Sequence, residues 1–84
     1  VSDNKLTWQK QKEEQARLRK MQKELNRVES EIERLEAENT ALDEAIADPA
    51  NATNSAKLQE LSIQRGENDA KLEELLEHWE ELSE

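Results

Sequence analysis

The chain has no cysteine, phenylalanine or tyrosine, and only one each of proline, glycine, histidine and methionine. Without cysteine there are no disulfides and no thiolate metal sites. With only Pro49 and Gly66, it lacks the turn chemistry that a sheet of several strands needs. Trp8 and Trp79 are the only aromatics, and 33% of the residues are apolar. That is too few for a large core. No apolar run approaches the length needed to span a bilayer, about 20 residues. No signal-peptide pattern opens the chain either. A soluble, cytoplasmic chain is expected, with no membrane contact. There is also no glycine-rich phosphate loop, no nucleophile with a base, and no pair of ligand-spaced histidines. The reading is therefore no enzyme, no catalytic residue, no metal site and no cofactor within these residues.

What remains is a helix-forming alphabet. Of 84 residues, 39% are charged, and Ala, Glu, Lys, Leu, Arg and Gln dominate. Such a composition is typical of coiled coils. Apolar residues fall at Leu18, Met21, Leu25, Val28, Ile32, Leu35, Leu42 and Ile46, with Asn39 in the one vacancy. The steps alternate three and four, which is a heptad seam with Leu18, Leu25, Ile32, Asn39 and Ile46 at a. Asp48-Pro49 ends it. Proline cannot continue the hydrogen-bond ladder and disfavours helix in the residue before it. Asn54 or Ser55 then offers an N-cap. A second seam runs Leu58, Leu61, Arg65, Asn68, Leu72, Leu75, Trp79, Leu82.

So short a connection leaves only antiparallel packing. The expected fold is all-α, a two-helix antiparallel intramolecular coiled-coil hairpin. Residues 1–7 read as linker with Thr7 as N-cap, 8–47 as the first helix, 48–54 as loop and 55–83 as the second helix. Two a-against-d registers compete. One sets Asn39 opposite Asn68 and Val28 opposite Trp79. The other sets Leu42 opposite Leu58 and leaves both amides facing Leu or Ile. The first satisfies the amides mutually and is preferred, with Asn39 and Asn68 as register-setting residues. A two-helix seam covers side chains only partly, so a monomer or a weakly self-associating chain is expected.

Charge is unevenly distributed. Residues 1–27 hold eight Lys/Arg and four acids, a net of +4, while residues 28–84 hold four and seventeen, a net of −13. On the heptad frame Lys12, Arg19, Lys20, Lys23 and Arg27 occupy b, c and f and form one outward stripe. A stripe of that kind can follow phosphates. Glu73, Glu74, Glu77, Glu80 and Glu81 occupy the same positions on the second helix, so a basic face and an acidic face are expected back to back at one end. Trp79 reads as core. Trp8 lies outside the seam and is left to pack on the end of the second helix or on another domain. His78 reads as a half-exposed flank residue. Arg65 and Gly66 soften the second seam, as a tolerated weak point or as a bend.

Four landmarks stand in order: Lys5-Leu6-Thr7-Trp8, heptads from Leu18, Ala47-Asp48-Pro49, and Trp79-Glu80-Glu81-Leu82. With them the chain resembles the C-terminal coiled-coil domain of ABC-F ATPases, in the Uup-like group. The resemblance implies tandem ATP-binding cassettes upstream in the same chain, with ATP and Mg bound there. It also implies a bacterial cytoplasmic protein acting in translation, with DNA or the ribosome as partner. The expected function is thus a non-catalytic interaction module that contacts DNA or ribosomal RNA through its basic stem. The alternative is a structural spacer or dimerisation element.

Overall fold

A computed structural model describes residues 2–84, which form a helical hairpin: α1 spans Ser2–Ala47, a 3-10 turn spans Pro49–Asn51, and α2 spans Ser55–Ser83. The rod measures 78 × 16 × 15 Å. No strand occurs among the described residues.

The connection is built from the residues that stop the first helix. Asp48 is extended, and its Oδ1 accepts from the Ala50 amide at 2.9 Å. Pro49 opens the 3-10 turn, where its missing N–H costs nothing. Asn51 is buried, and its Nδ2 donates to the Ala45 carbonyl at 2.8 Å. That bond closes one of the open carbonyls at the end of α1. Asn54 caps α2 by accepting from the Lys57 amide at 3.1 Å. The chain thereby reverses with a side-chain bond at each helix end.

Val28 and Leu35 are the buried apolar side chains among the described residues; the other apolar seam residues from Met21 to Ile46 on α1 are covered only on one side, as two helices dictate. The middle of the seam is polar. Asn68 Nδ2 donates to Asn39 Oδ1 at 3.1 Å and to Glu38 Oε1 at 3.0 Å, and Gln64 Nε2 donates to Asn68 Oδ1 at 3.1 Å. Asn39 Nδ2 donates to Asp69 Oδ1 at 3.3 Å. Arg65 stands at a seam position, where its guanidinium grips Asp43 of α1 through Nε at 2.9 Å and Nη2 at 3.3 Å, and also bonds Asp69. No buried side-chain polar atom lacks a partner among the described residues. This belt aligns the helices in the first of the two registers above.

Two expectations are corrected here. Residues 2–7, read as linker, continue α1, and Val1 of that segment lies outside the described residues. Thr7 is therefore inside the helix. Nothing in Ser2–Thr7 breaks a helix, since the first proline or glycine is Pro49. Trp79 is not core but 36% exposed, its indole Nε1 donating to Glu29 Oε1 at 3.2 Å and its ring flanking a shallow groove with Ile32 and Leu76. An indole is too large for one layer of a two-helix seam and bonds its N–H at the rim.

Gly66 is exposed, its φ is not left-handed, and a Cβ built there meets nothing within 4 Å. Gly66→Ala should therefore raise the unfolding free energy by about 0.5–1 kcal/mol, because alanine restricts the unfolded chain and favours helix. Urea unfolding followed by circular dichroism at 222 nm checks this. Unchanged or lower stability would mean that the glycine serves a bend.

Candidate nucleic-acid interface

The register decides where α2 stops along α1. From Asn68 it runs fifteen residues to Ser83, and fifteen residues back from Asn39 is Glu24. His78, five residues before Ser83, reaches toward this end, its Nε2 3.2 Å from Glu24 Oε1. Everything in α1 before Glu24 projects as a single helix, about 33 Å long at 1.5 Å per residue. Residues 4–20 are all exposed, including Leu18, the first residue of the expected seam.

Between Asn4 and Lys23 the stem carries seven Lys/Arg and two Glu, a net of +5. At 3.6 residues per turn, Lys5, Trp8, Lys12, Arg19, Lys20 and Lys23 share an arc of about 120°. No acidic residue of this stretch falls within the arc: Glu13 stands at its border and Glu14 on the opposite side. Arg17, away from the arc, is tied to Glu14 (Nε to Oε2 3.0 Å) and donates to Met21 Sδ at 3.0 Å. Its hydrogen bond holds the Glu14 carboxyl below its ordinary value.

The five residues of the expected stripe differ in availability. Arg19, Lys20 and Lys23 are exposed and make no ion pair or hydrogen bond among the described residues. The Lys12 ammonium sits 5.0 Å from the centroid of the Trp8 ring. Arg27 is committed to Glu24, with Nη2 to Oε1 at 2.6 Å. Lys5 belongs to the same face, one heptad before Lys12, but reading residues 1–7 as linker conceals it. Trp8 is 61% exposed. The end of α2 falls sixteen residues beyond its level, an axial gap of roughly 24 Å. The indole therefore does not pack on the end of α2.

The acidic cluster is also displaced. In this register Glu80 and Glu81 lie level with Arg27 and Asn26, and Glu73 and Glu74 with Arg34 and Glu33. The two patches are staggered along the rod rather than back to back. Lys12 is about 22 Å along the axis from Glu80, beyond two Debye lengths of roughly 8 Å at physiological salt. Of the stripe, Arg27 and Lys23 lie closest to these acids.

At the open end, Glu24 receives Arg27 from its own helix and His78 from α2, and His78 Nδ1 lies 3.8 Å from Glu81 Oε2. The Glu24 carboxyl is lowered from 4.5 to about 2, first by the Arg27 hydrogen bond and then by that of His78. A folded-state value below the unfolded one means that the ionised carboxylate is preferred in the hairpin. Its contribution is complete above about pH 4.5 and is lost as the pH falls toward 2. Among the described residues no cluster of three or more His, Asp or Glu could hold a metal ion, and no helix is long and apolar enough to cross a membrane.

The chain is thus a helical hairpin with a projecting basic arm. Residues 16–84 match the family model described as ABC transporter C-terminal domain, and the chain belongs to that family. It is an accessory C-terminal domain of an ABC-family protein. Neither the curated proteins nor the solved structures compared with it give a match.

A carboxyl-resolved NMR titration of the chain should find Glu24 with a midpoint near 2, and Arg27→Gln should move it up toward 4.5. A midpoint near 4.5 in the unaltered chain would show that Arg27 is free for other partners.

Proposed function

We propose that this domain serves an ABC-family ATPase as a non-catalytic interaction module, and that its projecting basic stem contacts nucleic acid, either DNA or ribosomal RNA. The observation that carries the reading is the arc from Lys5 to Lys23, free of acids and extending past the end of α2. Cations on a projecting helix that make no ion pair among the described residues are available to phosphates, and each phosphate contact releases condensed counterions. The ATP-binding cassettes, with their ATP and Mg, belong upstream in the same chain, in a cytoplasmic protein. The stem is the arm reaching away from the loop. Lys12, Arg19, Lys20 and Lys23 are the contact residues, joined by Lys5, while Arg27 contributes less because Glu24 already neutralises it.

Binding of the chain to duplex DNA and to ribosomes, each at about 50 and about 200 mM salt, tests the proposal. Saturable binding is expected, with log K falling by about 0.9 per phosphate neutralised for each tenfold rise in salt on a duplex. Arg19→Glu with Lys23→Glu should weaken it by more than tenfold, whereas Arg27→Gln should change it by less than threefold. Absence of binding to either partner at low salt would leave a structural spacer, the competing reading.

A further inference from the structure

Trp8 is the one large aromatic of the stem, and no packing within the hairpin accounts for it: it is 61% exposed, far from the end of α2, and outside the heptad seam. Two of its four neighbours on the helix surface are cationic, the others being Asn4 and Gln11. Lys5 precedes it by three residues and Lys12 follows by four, the two spacings at which helical side chains meet. Lys12 lies over the ring with its ammonium 5.0 Å from the centroid. The cation thus holds one side of the indole while the ring stays open to solvent. Proteins that bind single strands without reading their sequence stack bases on aromatic side chains set among cations that track the backbone. The paired bases of a duplex are stacked on one another and offer no free face inside the helix.

From this we infer that Trp8, with Lys5 and Lys12 beside it, is a stacking platform for an unpaired base, so that the stem prefers single-stranded nucleic acid, or a single-stranded tail or loop, over a continuous duplex. Arg19, Lys20 and Lys23 then follow the phosphates leading away from that base. The inference rests on the stem's binding nucleic acid. It adds to that reading the ligand's strandedness and the residue that senses it.

The test uses the chain carrying Trp79→Phe, which leaves Trp8 as the sole indole fluorophore. It is titrated with oligo(dT), with oligo(U), and with a fully paired duplex of equal phosphate number. Saturable quenching of Trp8 by the single strands, with weaker affinity for the duplex, is expected, and the tighter of the two single strands tells whether DNA or RNA supplies the base. Trp8→Ala should lower single-strand affinity by roughly 5- to 100-fold, the usual effect of losing one stacked base. It should leave duplex affinity within about threefold, and Trp8→Phe should recover most of the loss. Alanine favours helix, so the stem stays folded, which circular dichroism confirms. Single-strand affinity unchanged in Trp8→Ala, or binding without quenching, would overturn the stacking platform while leaving the basic stem standing. If no nucleic acid binds even at low salt, both readings fail together.

Discussion

The hydrogen bond between Asn68 and Asn39 is the constraint on which the rest of this hairpin depends. Heptad seams are periodic, so apolar packing alone tolerates a slip of one repeat between the helices. In the slipped pairing, with Leu42 opposite Leu58, Asn39 would face Leu61 and Asn68 would face Ile32. Each buried amide would then be left unsatisfied, at about 1–3 kcal/mol apiece. In the observed pairing the amides meet, and Glu38, Gln64, Asp69 and Arg65 extend the contact into a belt across both helices. Polar groups in a coiled-coil seam discriminate between registers more than they add stability.

That choice has consequences at the far end of the rod. In the observed register α2 reaches the level of Glu24, and Arg19, Lys20 and Lys23 lie beyond it. A slip of one heptad would carry Ser83 to the level of Arg17. The acidic end of α2 would then lie against those cations and neutralise them. A pair of amides near the middle of the hairpin thus determines how much basic helix is exposed at its tip. The same register sets Glu24 beside His78.

Much of this can be read from the chain. The alternation of three and four, the Asp48-Pro49 stop and the Asn54 cap are local signals, each with a direct physical cause, and the structure carries all three. Three of the four landmarks fall within residues 16–84, where the match establishes a C-terminal domain of an ABC-family protein. The preference for Asn39 opposite Asn68 comes from counting partners for buried amides. The start of α1 is less legible, because a helix held by propensity alone has no seam to announce it. Thr7 before Trp8 mimics a cap. The pairing of Arg27 with Glu24 is available from their spacing of three residues, yet on a heptad wheel Arg27 simply joins the stripe. The stagger between the basic and acidic patches follows only once the register is known. Trp79 satisfies the seam pattern, but periodicity carries no information about whether an indole fits the space available.

Because the chain has no cysteine, a pair of spin labels can be introduced without background. The most direct test of the register is the distance between labels at Lys10→Cys on the stem and Ser83→Cys at the end of α2, measured by pulsed electron–electron dipolar spectroscopy. The amide-paired register places these positions fourteen residues apart along the rod, an axial offset of about 21 Å at 1.5 Å per residue. The slipped register places them seven residues apart, about 10 Å. A single population at the longer distance is the predicted result. A dominant short distance would mean that α2 covers Arg19, Lys20 and Lys23, and the account of an exposed basic stem would be wrong.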